Sequence, residues 1–289
     1  MGWGYGIKYL IPLSVIRTNI IFMSITFTKM HGNGNDFILI DEMKEPVIPD
    51  EMKAEFAVVY CDRKFGIGGD GVLFISPASA EGAAVKMRLF QPDGSEAEMC
   101  GNGIRCLAKF ASDNGYAKTK LFKVETMAGV LPVRGDYDGD GDYMASIEMG
   151  EAVFGKTEKI NGMEVFSANT GVPHAAVFVD DADAVDIDAA APAVRHNPVY
   201  PAGTNVNFVQ VTGPDSITIR TFERGVEGET LSCGTGATAS ALIAAREKKV
   251  TGDVIHVTTK GGPLDITVSG KVPVMTGPAE TVYTGEIPF

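Results

Sequence analysis

Two cysteines stand in sequence contexts that favour acid–base chemistry. Cys100 begins "CGNG" and Cys233 begins "CGTG", and a helical pattern follows each string. A helix N-terminus has unpaired N–H groups and partial positive charge, so we expect a lowered pKa for both thiols. The glycines allow a ligand to approach closely, and the free N–H groups can hold a carboxylate. If both helix starts face one cleft, one thiolate can remove the α-proton of a bound amino acid. The other thiol can then return a proton to the opposite face, which is the chemistry of a racemase or epimerase.

Other uses of the cysteines remain open at this stage. A disulfide between Cys100 and Cys233 is geometrically allowed, but it suits a reducing compartment poorly. Zinc is a weaker alternative because the sequence has no C-x-x-C pair. Cys61 and Cys106 lack the Gly-x-Gly sequel, which predicts buried core positions. A Cys–His hydrolase or transferase would leave the second cysteine unexplained, and a binding protein with inert cysteines is a third alternative.

Polar residues near the second cysteine could recognise an amino acid. In "FERGVEGETLSCGTG", Arg224 could fork onto a carboxylate and Glu223 could pair with an ammonium. An exposed ion pair between the two is an equally good interpretation. Amide hydrogen bonds could come from three loop or strand-end residues: Asn35, Gln91 and Asn205.

Two histidines and two motif-like strings need separate interpretation. His31 and His174 both fall in predicted loops, and His174 lies in the loop that matches "HGNGN". "GIGGDG" satisfies G-x-G-x-x-G, but a strand-like "VLFIS" follows where a dinucleotide fold requires a helix, so we interpret it as a turn. "DYDGDGDYMASIE" has Ile147 where a calcium loop requires Glu, which favours an acidic hairpin tip.

The elements that must position these residues occur twice. "TGVPHAAVFVD" parallels "HGNGNDFILID", and "ITIRTFERGVEGETLSCGTG" parallels "VKMRLFQPDGSEAEMCGNG". Three further residues recur in type 133 positions later, the offset that also separates the two cysteines: Val124, Thr126 and Gly129, matched by Val257, Thr259 and Gly262. Chance similarity of Gly-rich turns is the alternative. Several coincidences at one offset instead predict two copies of one unit, with a cleft between them.

Local patterns predict the elements of the first copy. "SITFTKM", "DFILID", "GVLFIS" and "VKMRLFQ" read as strands, and a helix over "PDEMKAEFAVVY" follows a capping Asp50. After Cys100, an apolar helical stripe ends near Asn114 and Gly115.

Composition limits the class of protein. The chain has 289 residues, enough for two domains, and 45% of them are hydrophobic. A net charge of −12 argues against nucleic-acid partners and anionic membranes. Residues 1–22 contain no apolar run long enough to span a bilayer and no evident cleavage site, so we interpret them as an extension outside the fold. We expect a cytoplasmic protein with reduced cysteines.

Six strings together resemble the diaminopimelate epimerase family, in order from about Ser24 to Phe289: "FTKMHGNGNDFILID", "FGIGGDG", "PDGSEAEMCGNGIRC", "NVNFVQV", "ERGVEGETLSCGTGA" and "VMTGPAETVYTGEI". The resemblance implies cofactor-independent interconversion of LL- and meso-2,6-diaminopimelate in lysine biosynthesis, without a metal. A homodimer is compatible with it, although the sequence does not decide the oligomeric state.

The resemblance also implies a fold and a residue set. The fold would be of α/β (α+β) type, with two pseudo-symmetric domains that each wrap a mostly antiparallel sheet around a central helix. Residues 24–147 plus 276–289 would form the first domain and 148–275 the second, with the last strand returning to the first half. The implied acid/base residues are Cys100 and Cys233, assisted by His174 and Glu223. The implied substrate-binding residues are Asn35, Gln91, Gly101, Asn102, Asn205, Arg224, Gly234 and Thr235.

Two positions depart from the family pattern. Gln91 stands where the family usually has Asn, and Val172 stands where many members have Asn before Pro-His. Both changes concern substrate recognition more than the chemistry. A racemase of another amino acid, such as a proline-type enzyme, is the nearest alternative, but "ERGVEGET" and the distal amides argue against it.

Overall fold

The structure is a computed structural model that describes residues 24–288, within which 19 strands and four α-helices are found. The predicted extension over residues 1–22 lies outside the described residues. The helices are α1 (Lys53–Tyr60), α2 (Gly101–Asp113), α3 (Ile187–Arg195) and α4 (Gly234–Arg246). The strands are β1 (Ser24–Gly32), β2 (Asn35–Asp41), β3 (Gly71–Ser76), β4 (Val85–Phe90), β5 (Glu96–Ala97), β6 (Leu121–Thr126), β7 (Gly129–Tyr137), β8 (Tyr143–Glu148), β9 (Val153–Phe154), β10 (Glu158–Ile160), β11 (Met163–Asn169), β12 (Pro173–Phe178), β13 (Asn205–Gly213), β14 (Ser216–Glu223), β15 (Gly228–Thr230), β16 (Val254–Thr259), β17 (Gly262–Thr267), β18 (Val274–Pro278) and β19 (Glu280–Pro288).

The strand pairings repeat between the two halves of the chain. In the first half, β2 pairs parallel with β3, β3 antiparallel with β4, β4 parallel with β6, and β6 antiparallel with β7. In the second half, β12 pairs parallel with β13, β13 antiparallel with β14, β14 parallel with β16, and β16 antiparallel with β17. The predicted internal repeat is therefore present as one topology used twice.

The repeat extends to individual turns. Thr126 Oγ1 donates to Gly129 O at 2.9 Å, and Thr259 Oγ1 donates to Gly262 O at 2.7 Å. The φ angles of the two glycines are 120° and 125°, a conformation that L side chains rarely adopt. The recurrence of Thr and Gly in the sequence thus encodes the same hairpin in both halves.

Each long helix is enclosed by the strands of its own half. Helix α2 contacts β1, β2, β4, β7 and β8, and α4 contacts β11, β12, β13, β14, β16 and β17. The predicted stripe of α2 is completely buried at Ile104, Leu107, Ala108 and Ala111. Two similar halves that wrap a sheet around a central helix confirm the predicted fold class. The exact domain boundaries stay a prediction.

Strands near the C-terminus connect the halves. Strand β18 pairs with β17 on one side and with β8 on the other, so all described strands belong to one sheet. Strand β19 then returns to the first half and pairs antiparallel with β1, as the resemblance implied. The apolar residues around α2 and α4 consequently form one continuous core.

Several local predictions can be compared with the structure. "GIGGDG" is the turn that precedes β3, and residues 138–142 form the tip between β7 and β8. Cys61 and Cys106 are buried in the core. Asp50 does not cap a helix: it lies in a short 3-10 turn, and its carboxylate pairs with Arg88 at 2.6 Å. The loop prediction for the histidines is also wrong, because β1 includes His31 and β12 includes His174.

Candidate active site

Cys100 and Cys233 occupy the same position in the two repeats. Each is the N-cap residue of its helix, with extended backbone angles of φ −140° and ψ 122° for Cys100 and φ −122° and ψ 106° for Cys233. Both thiols are free. The glycine after each cysteine keeps the helix start open, so backbone N–H groups remain available to a bound anion.

Met275 brings the two helix starts together. A Cβ placed on Gly101 would lie 2.8 Å from Met275 Cε, and one placed on Gly234 would lie 2.8 Å from Met275 Sδ. Met275 is 0% exposed and belongs to β18, the strand shared by the halves. The absence of a side chain at both glycines therefore lets one methionine pack between the two helices. Asn102 Oδ1 lies 3.9 Å from the Cβ position of Gly234, so residues of both helices meet at one site.

The predicted lowering of the thiol pKa values is wrong for this structure. Burial raises the pKa of Cys100, although the backbone N–H groups of Gly103 and Asn102 and the charge of Arg105 act in the opposite direction. Burial and the Glu223 carboxylate raise the pKa of Cys233 well above its ordinary value. The helix ends act as expected, but loss of water around the sulfurs is the larger effect.

Glu223 lies beside the second cysteine. Its carboxylate lies close enough to the Cys233 thiol to raise the pKa of that thiol, and its charge also acts on Cys100. Burial raises the pKa of Glu223 itself, which makes the carboxylate a better proton acceptor. Arg224 points elsewhere, because its NH1 donates to Ala202 O at 3.2 Å. The two neighbours in sequence do not form the exposed ion pair considered as an alternative.

His174 reaches Cys233 through a hydroxyl. His174 Nε2 lies 2.9 Å from Thr235 Oγ1, which lies 3.4 Å from Cys233 Sγ. On the other side of the ring, Asn207 Nδ2 lies 3.3 Å from His174 Nδ1 and also donates to Ala175 O at 3.1 Å. An amide NH₂ only donates, so Nδ1 accepts and the proton of the neutral imidazole is on Nε2. Burial lowers the pKa of His174 to about 3, which keeps the ring neutral. The Thr235 hydroxyl can then accept from His174 and donate to Cys233.

A different set of residues surrounds Cys100. Cys100 Sγ lies 3.6 Å from Asn35 Oδ1, and Asn102 Nδ2 donates to the same oxygen at 3.1 Å. Asn35 Nδ2 donates to Asp70 Oδ2 at 2.6 Å, which fixes the orientation of the amide. Asp70 also accepts from Arg63 NH2 at 2.7 Å. Asp70, in the turn "GIGGDG", therefore provides the carboxylate that orients the Asn35 side chain.

The remaining predicted residues have distinct environments. Asn205 Nδ2 donates to Pro173 O at 3.0 Å, and its Oδ1 accepts from the Arg224 N–H at 2.8 Å. Asn205 thus positions the backbone on either side of the site. Gln91 is exposed and donates to Ser95 Oγ at 3.2 Å. Its side chain is not joined to either cysteine by the hydrogen bonds of the described residues.

Sequence reasoning missed three residues of the site: Asp70, Asn207 and Met275. Asp70 lies in a string whose pattern indicates a turn, and Met275 lies in "VMTGP", whose one signal is the family resemblance. No local signal marks Asn207, whose amide accepts from Thr221 Oγ1 at 2.9 Å in the buried interior. Among residues 24–288, no group of three His, Cys, Asp or Glu side chains is arranged to hold a metal ion. No helix in that range is long and apolar enough to cross a membrane.

Comparison with known proteins gives the family. The family model described as diaminopimelate epimerase matches residues 27–155 and 166–282. The chain belongs to the diaminopimelate epimerase family. The diaminopimelate epimerase of Methanothrix thermoacetophila is 50% identical over 273 residues, which cover 90% of this chain and 95% of that protein. That of Methanocella arvoryzae is 51% identical over 276 residues, which cover 91% and 96%.

Solved structures with the same fold include more distant enzymes. A phenazine biosynthesis protein of the PhzF family from Bacillus anthracis superposes with a TM-score of 0.70 at 16% identity, covering 92% of this chain and 100% of that one. A probable proline racemase from Agrobacterium radiobacter K84 superposes with a TM-score of 0.64 at 20% identity, covering 92% and 93%. At this identity the likeness shows the fold alone. For this diaminopimelate epimerase family member, the sequence relatives therefore carry the functional argument.

Proposed function

We propose that the protein interconverts LL- and meso-2,6-diaminopimelate in lysine biosynthesis, with Cys100 and Cys233 as the two acid/base residues. Family membership supports the reaction. The single observation that carries the mechanism is that both cysteines cap helices whose first glycines pack against one side chain, Met275. Two such helix starts can hold one carboxylate and present a sulfur to each face of its α-carbon.

Proton transfer balances without a cofactor. The thiolate takes the α-proton, and negative charge develops on the α-carbon and its carboxylate. The opposite thiol gives its proton to the other face, so the two sulfurs exchange protonation states in each turnover. In this proposal the N–H groups of Gly101, Asn102, Gly234 and Thr235 stabilise that charge, which lowers the barrier when water is excluded.

The polar residues have different roles in the proposal. Glu223 accepts the proton of Cys233 or holds it in place, and the Thr235 hydroxyl, oriented by His174, stabilises the Cys233 thiolate. Arg224 and Asn35 bind charged or polar groups of the substrate, with Asn205 fixing the backbone near Arg224. The assignment of Gln91 to substrate binding rests on the family resemblance alone.

The decisive experiment follows isotope exchange in deuterated water. The wild type is expected to incorporate deuterium at the α-carbon of diaminopimelate, whereas Cys100→Ala and Cys233→Ala are each expected to lose at least about a thousandfold in turnover. Cys61→Ala is the matched control, because Cys61 is buried in a separate core beside α1. Full turnover in either Cys100→Ala or Cys233→Ala would overturn the two-thiol mechanism.

The second candidate is a racemase of another amino acid. Two observations motivate this candidate. The chain shares its fold with a probable proline racemase, and it has Gln91 and Val172 at positions where the family usually has Asn. A panel of amino acids assayed by chiral chromatography separates the two, since only diaminopimelate is expected to be converted rapidly. Conversion of proline in preference to diaminopimelate would favour the alternative.

Four further features belong to the proposal. Reduced thiols fit a cytoplasmic enzyme, and two thiols need no bound cofactor for this reaction. A homodimer and the division into residues 24–147 plus 276–289 and 148–275 also remain predictions. Analytical ultracentrifugation and limited proteolysis test these two respectively.

A further inference from the structure

Arg105 is a buried cation without a counter-ion. It is 0% exposed and lies in α2, five residues after Cys100. All its hydrogen-bond acceptors in residues 24–288 are uncharged: Asn33 Oδ1 at 2.5 Å, Pro278 O at 3.1 Å, Gly101 O at 3.4 Å and Met275 Sδ at 3.9 Å. No carboxylate of that range forms an ion pair with it. Burial lowers the pKa of Arg105 to about 10, so the guanidinium remains protonated at neutral pH.

A buried guanidinium without a counter-ion lowers the stability of the folded protein. Removing a charged group from water is unfavourable by several kcal/mol unless an opposite charge compensates it. A purely structural clamp between β18, the β1–β2 turn and α2 could be built with uncharged donors. The net positive charge therefore points to an electrostatic use at the place where the guanidinium lies, which is the start of α2.

The second half of the protein contains the matched comparison. Thr238 lies five residues after Cys233, and its Oγ1 donates to Gly234 O at 2.9 Å, just as Arg105 NH1 donates to Gly101 O. Both side chains therefore reach back to the first residue of their helix. The repeat has kept this contact in both halves, but only the first half places a positive charge there.

We propose that Arg105 is a positioning residue whose charge favours the thiolate of Cys100 over that of Cys233, so that Cys100 is the first of the two to lose its proton and acts as the base in the substrate-free enzyme. This inference rests on the proposed two-thiol function and assigns the order in which the pair deprotonates. The neutral Thr238 and the carboxylate of Glu223 together leave Cys233 as the site that retains its proton.

Other charges around Cys100 do not remove the asymmetry. The Glu223 carboxylate raises the pKa of both cysteines, but it is the largest cause after burial for Cys233 and the smallest of the causes for Cys100. Asp70 faces Cys100 indirectly, through Asn35, and the Asn35 oxygen favours the thiol. Asp36 and Asp70 share Arg63 as a partner, and Asp36 is also paired with Lys29. Burial raises the pKa of the neighbouring Cys106 to about 12, so Cys106 stays protonated.

The test uses Asn33, because it touches the guanidinium without touching Cys100. Asn33→Asp places a carboxylate on Arg105 and cancels its charge, whereas Asn33→Gly removes the same contact, tolerates the φ of 54° at this position and leaves the charge. Both variants lose the hydrogen bond from Asn33 Nδ2 to Pro263 O. They therefore differ mainly in the net charge beside α2.

The measurement is the pH dependence of alkylation by iodoacetamide, without substrate. Tryptic peptides 89–105 and 225–246 each contain one cysteine, so mass spectrometry follows Cys100 and Cys233 separately in one sample. We expect Cys100 to have the lower apparent pKa in the wild type. Asn33→Asp should raise it by about one pH unit, which is about tenfold less thiolate at neutral pH, and Asn33→Gly should leave it unchanged. Equal behaviour of the two variants, or a lower pKa for Cys233 than for Cys100, would overturn the inference.

Direct replacement provides a second measurement if Asn33 variants fold poorly. Arg105→Lys keeps the charge and the tryptic site and should preserve the Cys100 profile. Arg105→Met fills similar space without charge and should raise the pKa of Cys100; its peptide runs from Leu89 to Lys109 and includes Cys106, so fragment ions assign the alkylated residue. A raised pKa in both, with unchanged thermal unfolding, would assign the effect to geometry and overturn the inference. Alkylation does not require turnover. The alkylation experiment therefore tests the role of Arg105, and the epimerase assay tests the proposed function. Each proposal can fail while the other holds.

Discussion

Phe37 and His174 occupy equivalent positions beneath the two helices that carry the cysteines. A Cβ placed on Gly103 would lie 3.5 Å from Phe37 Cζ, and one placed on the matching Gly236 would lie 3.3 Å from His174 Cε1. At this repeated backbone position the first half has the phenyl ring of Phe37 beneath its helix, and the second half has the imidazole of His174. The two faces of the candidate site are similar in shape and unequal in proton chemistry.

The same asymmetry continues one strand further. Leu73 lies 3.4 Å from the Cβ position of Gly103, and Asn207 Oδ1 lies 2.5 Å from that of Gly236. The second half thus contains a hydrogen-bonded chain from Thr221 through Asn207, His174 and Thr235 toward the sulfur. Gly236 is required there, because any side chain would overlap the Asn207 amide.

The tautomer of His174 should be set by Asn207. Asn207→Asp replaces the donor facing Nδ1 by an acceptor, which moves the imidazole proton to Nδ1 and leaves Nε2 to accept from Thr235. The Thr235 hydroxyl then no longer donates to Cys233, and kcat is expected to fall about 10- to 100-fold with little change in KM. Nitrogen-15 shifts of His174 report the tautomer directly. Asn207→Leu, which copies Leu73, is the control that removes the contact without reversing it. An unchanged tautomer in Asn207→Asp would contradict this role.

Asp70 should act on substrate binding through Asn35. Asp70→Ala removes the acceptor for Asn35 Nδ2, so the amide loses its fixed orientation beside Cys100. We expect KM to rise about 10- to 100-fold and kcat to change less, since a hydrogen bond to a carboxylate contributes about 1.5 to 3 kcal/mol. Steady-state kinetics provide the measurement, with Asp140→Ala in the exposed β7–β8 tip as the control. Identical KM values in the two variants would exclude the positioning role.

Met275 should hold the two helix starts at their spacing. Met275→Ala leaves a cavity between Gly101 and Gly234, and the free energy of unfolding is expected to fall by about 2 to 5 kcal/mol. Met275→Leu has a similar volume and is expected to cost less than about 1.5 kcal/mol. Urea denaturation measures both. A Met275→Ala protein as stable as the Leu variant would show that the interface collapses without cost.

Glu125 should contribute to stability at mildly acidic pH. The N–H of Ala80, together with Ser79 and Lys86, lowers the pKa of Glu125 from 4.5 to about 2. Because the folded-state pKa is depressed, the contribution is present above about pH 4.5 and is lost as the pH falls toward 2. Glu125→Gln should therefore flatten the decline in unfolding free energy between pH 5 and pH 3, as measured by urea denaturation at each pH. The exposed Glu164→Gln is the control, and a parallel decline in all three proteins would refute the assignment.

Much of the architecture could be predicted from local sequence. The recurrence of Cys, Thr and Gly at one offset predicted two copies of a unit, because glycines and hairpin threonines encode their turns locally. Cys100 and Cys233 were predicted at helix starts, and both are N-cap residues. The sequence predicts loops at His31 and His174 because glycines, which are typical of turns, lie close to both. Each histidine is instead near the end of a strand.

The sequence by itself determined the repeat, the pair of cysteines and the family. Only the tertiary structure decided the pKa values of the two thiols. The thiol pKa values depend on how completely the sulfurs are removed from water, and on Arg105, Glu223 and Asn207, which reach the site from different elements. Burial and contacts between distant segments are properties of the folded chain, so no spacing along the sequence could reveal that two matched cysteines have unmatched surroundings.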